Sequence, residues 1–160
     1  MKHIINMTQH QATDEQKAQG VMELDADLKT QLVKLLTVED LNEVIHRENL
    51  ETRADQIVAI ATKQIMRMAE AEGDNLPPAF KAARELDKFS ITPMHLNSYY
   101  GVAVTLGGAP WMMSALEKAA HLGGLSVCYA FSKRVSEEQH QPDGSVRKVN
   151  TFKHQGFIWA

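Results

Sequence analysis

A chain of 160 residues with 44% apolar and 23% charged positions has the composition of one ordinary globular domain. That length buries enough surface to fold without disulfide or metal staples. A formal charge of −3 and a pI near 6.1 argue against a general nucleic-acid binder, which carries a basic field.

The charge is unevenly divided. Residues 1–131 hold 12 Lys/Arg against 17 Asp/Glu, whereas residues 132–160 hold five against three. Cys128 is the single cysteine, set in an apolar run, so a buried thiol is expected and no intrachain disulfide. The seven histidines (3, 10, 46, 95, 121, 140 and 154) show no metal-ligand spacing, and no cofactor is indicated. No stretch approaches the roughly 18 apolar residues of a membrane helix. The segment Met1-Lys2-His3-Ile4-Ile5-Asn6 lacks the apolar core of a signal peptide, so the cytoplasm is the expected compartment.

In chain order, His3–Met7 reads as a short buried strand opening into polar Thr8, Gln9 and His10. Thr13 and Gln16 have capping-box spacing for a short helix, with Gly20 placed to stop it. Residues 27–36 read as a helix, with Leu28, Leu32 and Leu35/Leu36 along one side, and Thr37 is expected to cap a further turn from Val38. A longer helix is expected from about Leu50 to Glu72. Ile57, Ile60, Ala61, Ile65 and Met68 form its apolar face, and Arg53, Lys63, Gln64 and Arg67 point away; Gly73-Asp74-Asn75 ends it. Residues 74–101 read as an inserted excursion, with a short helix Ala79–Phe89 between Pro77-Pro78 and Thr92-Pro93.

Val102–Leu106 is a second apolar strand, followed by Gly107-Gly108-Ala109-Pro110 and a helix Trp111–Leu122 that ends at Gly123-Gly124. Leu125–Phe131 is a third strand, apolar on both faces as in a parallel sheet. Pro142-Asp143-Gly144 supplies a turn, so segments 132–139 and 145–152 are expected to pair as a β-hairpin, with Phe157-Ile158-Trp159 closing the chain by packing. The sum is a single domain over 1–160. Its expected fold is a small three-layer, Rossmann-like α/β sheet, mainly parallel, with a C-terminal antiparallel hairpin at the edge.

In such a sheet, ligands sit outside the carboxyl ends of the strands, at a switch point of strand order. Thr8, Gln9 and His10, then Gly107, Gly108 and Ala109, then Ser132, Lys133 and Arg134 should therefore meet on one rim. The glycine pair admits a ligand to the backbone, and the following helix would aim its free amides there, which suits a phosphate or carboxylate. On an extended strand only one of Lys133 and Arg134 can face it, and Arg134 is assigned that role. His10 is the candidate general acid or base, and His154 is placed either to fold back over the rim or to sit on the surface.

Asn6-Met7-Thr8-Gln9-His10, Gly107-Gly108-Ala109-Pro110, Tyr129-Ala130-Phe131-Ser132-Lys133-Arg134, Asp143-Gly144-Ser145-Val146 and Phe152-Lys153-His154-Gln155-Gly156-Phe157 together resemble a group of short uncharacterised proteins from bacteriophages, prophages and mobile elements. The resemblance implies a bacterial or phage cytoplasmic setting, with 74–101 as an insertion, and carries no activity. In outline alone the architecture is also similar to Rossmann-like nucleotide-sensing domains of CRISPR systems.

Three readings follow: binding of a phosphorylated small molecule, above all a nucleotide, on the rim; a phosphodiesterase or nucleotide-processing hydrolase using His10; and an interaction factor docking on a host protein through the basic hairpin 132–154. Nucleic acid could be met only through that hairpin. Its free edge also offers a homodimer surface.

Overall fold

The computed structural model describes residues 3–72 and 101–160. In chain order these form β1 (Ile4–Met7), α1 (Asp14–Ala18), β2 (Val21–Met22), α2 (Ala26–Leu36), a 3-10 turn (Leu41–Glu43), α3 (Arg47–Glu72), β3 (Ala103–Leu106), a second 3-10 turn (Pro110–Met112), α4 (Met113–Leu122), β4 (Ser126–His140) and β5 (Val146–Trp159). The strands form one sheet in the order β2-β1-β3-β4-β5, parallel throughout except for the antiparallel β4–β5 pair. The fold is α/β, as the alternation of strands and helices predicts. The helix expected over 79–89 and the stop at Gly73-Asp74-Asn75 lie outside the described residues.

Alternation along each strand separates two faces. Ile5, Met7, Val104, Leu106 and Val127 point to one side and join the buried residues of α2, α3 and α4 in the main core. Ile4, Val21, Ala103 and Cys128 point to the other and form a smaller cluster with Ala12 and Phe157. Among the described residues, Phe157 of β5 packs on that second face, and α1 lies beside β2 and β5.

The capping box is present: the Thr13 side chain accepts from the Gln16 amide at 3.3 Å, while the Gln16 side chain accepts from the Thr13 amide at 2.9 Å. α2 buries Leu28, Leu32 and Leu36. Thr37 closes this helix, donating its amide to the Val33 carbonyl, and starts no new one; Asp40 caps the 3-10 turn that follows. α3 begins at Arg47, three residues earlier than the apolar pattern suggests, because its first turn is polar and carries no hydrophobic signal. It buries Ala54, Ile57, Ile60, Ala61, Ile65 and Ala69.

Gln64 was expected to point away from the core, yet it is 4% exposed. Its side-chain oxygen accepts from the Asp25 amide at 2.9 Å at the start of α2, so a hydrogen bond compensates the burial. One turn on, Arg67 reaches Asp25 and grips Asp27 with both terminal nitrogens at 2.7 and 2.8 Å. The Arg67 hydrogen bonds hold the Asp27 carboxyl down to about 2.

Three other expectations are revised. β2 has no counterpart in the sequence pattern, because two residues are too short to show a period; it exists because β1 offers an edge to pair with. The helix after the glycine pair opens as a 3-10 turn, in which the Met112 and Met113 amides donate to Ala109 and Pro110. The third strand continues without a break to His140, and Phe157-Ile158-Trp159 pair with Ala130, Tyr129 and Cys128 as sheet residues. A bulge at Phe131/Ser132 marks where the two-stranded ribbon leaves the five-stranded sheet.

Candidate functional site

The connection from β1 leads outward to β2, and the chain then returns past β1 to β3. The two central strands are therefore neighbours whose connections diverge. Met7 and Leu106 are in register at their carboxyl ends, so the loops beginning at Thr8 and Gly107 emerge side by side. A Cβ on Gly107 would stand 3.3 Å from Thr8 Cγ2, which is why glycine suits this position. Gly108 has a φ of +107°, in the region that favours glycine, and open space where a side chain would be.

A cleft of about 400 Å³ lies at this junction. Thr8 and His10 line it from the first loop, Gly107 and Gly108 from the second, Asn6 and Thr105 from its floor, Gln16 from α1 and Tyr129 and Ala130 from β4. The first loop is held in one shape by a compact network. Asn6 Nδ2 donates to the His10 carbonyl at 2.8 Å and to Glu23 at 2.9 Å, while Asn6 Oδ1 accepts from the Thr8 amide and hydroxyl at 3.1 and 2.8 Å. Lys29 Nζ donates to the Thr8 carbonyl at 2.8 Å, the His10 carbonyl at 3.1 Å and Glu23 at 3.3 Å. Glu23 also accepts from the Ala12 amide at 2.6 Å. Burial opposes ionisation of Glu23, but the Ala12 amide, the Asn6 side chain and Lys29 outweigh it and hold its pKa below the usual carboxylate value. Lys29 is thus engaged with the loop backbone, and among the described residues the cleft lining carries no Lys or Arg.

Thr105 is 4% exposed, and its hydroxyl has no hydrogen-bond partner among the described residues. A buried hydroxyl left unpaired costs about 1–3 kcal/mol. This one sits at the cleft floor, where a ligand could satisfy it. Tyr129 donates to Glu117 at 2.6 Å; burial and that carboxylate push its pKa up to about 12, so it remains a neutral phenol at physiological pH.

Of the residues expected on the rim, Thr8, His10, Gly107 and Gly108 line this one cleft. Gln9 and Ala109 face a second hollow of about 550 Å³ on the other side of Gly108, bounded also by Leu36, Val38, Leu41, Val44, Leu50 and Trp111. Ser132 and Arg134 stand elsewhere, because β4 does not end at the rim. Arg134 is four residues beyond Ala130, or ~13 Å farther along an extended strand, and is opposite Phe152 in the hairpin. His154 is opposite Ser132 and bends toward α1, with Nε2 3.3 Å from Gln19 Oε1 and its ring 4.9 Å from that of Phe157.

Asn6, Thr105, Gln16 and Tyr129 were missed as cleft residues. For the first two a signal existed: each is the one polar residue inside an apolar strand, Ile-Ile-Asn-Met and Ala-Val-Thr-Leu. Only the ladder shows that they are register partners.

A mainly parallel α/β sheet with a polar cleft where strand order reverses places this fold among α/β sheets built on the switch-point plan. More particularly, the model of the uncharacterised MJ1673 family matches residues 2–158, and the chain belongs to that family. Comparison with curated proteins finds no match, and comparison with solved structures finds none. Among the described residues no helix is long and apolar enough to cross a membrane.

Proposed function

We propose that this chain binds a phosphorylated small molecule of the nucleotide class in the cleft between the β1 and β3 loops. The observation that carries this reading is the unpaired Thr105 hydroxyl on the floor of a switch-point cleft. Thr105 supplies an unpaired hydroxyl, His10 and Gln16 supply polar side chains, and Gly108 leaves its backbone open to approach. A phosphate monoester can be held by hydroxyl and backbone donors without a fixed cation, although at lower affinity than a bidentate arginine would give. A bacterial or phage cytoplasmic setting, where nucleotides are abundant, fits the same proposal.

Thermal-shift measurements with a panel of nucleotides at about 1 mM test it, since a ligand at about 100 times its Kd stabilises by about 2.7 kcal/mol. We expect at least one nucleotide to raise Tm and Thr105→Val to abolish the rise. No shift with any nucleotide rejects the reading.

His10 favours a second reading on the same cleft. Its carbonyl is pinned by Asn6 and Lys29, which leaves the exposed imidazole poised at the cleft edge as a general acid or base for phosphoester hydrolysis. Turnover of a bound nucleotide that disappears in His10→Ala, with binding retained, would establish it. Full turnover in that variant removes His10 from the chemistry.

A further inference from the structure

The second hollow is the feature that nucleotide binding, as stated so far, leaves unused. It meets the polar cleft at Gly108, which lines both. Alternate residues of the first loop divide between them: Thr8 and His10 face the cleft, and Gln9 faces the hollow. The two spaces differ in the side chains that line them. The cleft is floored by Asn6 and Thr105, whereas the hollow is walled by aliphatic side chains and Trp111. Trp111 is 46% exposed and Leu41 70%, apolar surface left uncovered beside a ready-made concavity. Gly108 has nothing within 4 Å of where its Cβ would be, so the backbone at the junction of the two spaces carries no side chain and has open space beside it.

From this continuity we infer that the two spaces form one bipartite site for a nucleoside monophosphate. The phosphate end occupies the Thr8/Thr105 cleft, the ligand crosses over Gly108, and the base lies against the Trp111 indole. The inference rests on the nucleotide reading of the cleft and adds to it where the base goes and which residue reads it. A polar cleft alone would accept a sugar phosphate equally well. The Trp111 indole and the aliphatic side chains of the hollow make the aromatic base contribute to affinity, by stacking and by loss of water from those side chains. Gln9, the polar side chain on the hollow's rim, is placed to hydrogen-bond a base edge.

The test uses the full chain carrying Trp159→Phe, so that Trp111 is the only tryptophan. Its fluorescence is followed while the four ribonucleoside 5′-monophosphates, or ribose 5-phosphate, are added, and binding of each is measured in parallel by calorimetry. We expect a nucleoside monophosphate to bind and to change Trp111 emission, and ribose 5-phosphate to bind at least tenfold more weakly without changing it. Trp111→Ala should weaken nucleotide binding by roughly five- to one-hundred-fold, the range of one base–aromatic stack, while leaving ribose 5-phosphate affinity unchanged; Trp111→Phe should restore most of the loss. Nucleotide binding that is equal in Trp111→Ala and silent in Trp111 emission overturns the bipartite site and leaves the cleft reading standing. Absence of binding by nucleotides and ribose 5-phosphate alike overturns both.

Discussion

Asn6 and Thr105 are register partners across the β1–β3 ladder, two buried polar residues side by side between otherwise apolar strands. Their situations are opposite. Asn6 is fully engaged, with the His10 carbonyl, Glu23 and Thr8 around it, whereas the Thr105 hydroxyl has no partner among the described residues. The first residue shapes the loop, and the second faces what the loop encloses. Asn6→Ala should therefore destabilise the fold by about 1–3 kcal/mol, since it takes the acceptor from the Thr8 amide and removes one donor each from the His10 carbonyl and the Glu23 carboxylate. Urea denaturation measures this, and a loss under about 0.5 kcal/mol would show that the network adds nothing.

Thr105→Val should behave differently. It replaces an unpaired buried hydroxyl with a methyl of similar size, so stability should hold or rise by up to about 2 kcal/mol. A fall of more than about 1 kcal/mol in the same denaturation series would mean that the hydroxyl has a partner in the folded state.

Acid stability should depend on Glu23. Its folded pKa lies below the 4.5 of the free side chain, so its contribution is fully present above that value and is lost as pH falls through the folded pKa. The window therefore lies below about pH 5. Glu23→Gln should flatten the pH dependence of stability there and narrow the gap to wild type as pH falls. An unchanged slope between pH 5 and 3 would assign the acid sensitivity to other carboxylates.

Gly107 and Thr8 should be coupled. Gly107→Ala places a Cβ 3.3 Å from Thr8 Cγ2, a contact that requires the two loops to move apart by a few tenths of an ångström. A cost of roughly 1–2 kcal/mol is expected. Thr8→Ser deletes that methyl and keeps the hydroxyl bonded to Asn6, so Gly107→Ala should cost less in the Thr8→Ser background. A double-mutant cycle with a coupling near zero would show that the loops do not touch as described.

Cys128 is fully buried, and its thiol faces the Val104 carbonyl at 3.6 Å. An aromatic disulfide reagent should modify it only on the timescale of unfolding, with a rate that follows denaturant concentration. Rapid labelling under native conditions would contradict the packing of β4 against β3.

Much of the architecture is legible in the sequence. Apolar runs bounded by turn residues marked β1, β3 and the start of β4, and heptad-like spacing marked α2 and α3, because burial writes its own period into a sequence. The convergence of Thr8, His10, Gly107 and Gly108 on one cleft also followed from the rule that parallel strands present their carboxyl ends together. What lay beyond the sequence was decided by partners distant along the chain. β2 is a strand because β1 is beside it, Gln64 is buried because Asp25 needs an acceptor, and β4 runs past the rim because β5 comes back to pair with it. That last pairing carries Arg134 away from the cleft. The pairing of Asn6 with Thr105, and the separation of Gln9 from its neighbours by the ridge at Gly108, likewise arise only from the packed sheet. A residue's intrinsic preference can be read locally, but which polar groups are satisfied and which are left facing a cavity depends on the three-dimensional arrangement of all their neighbours.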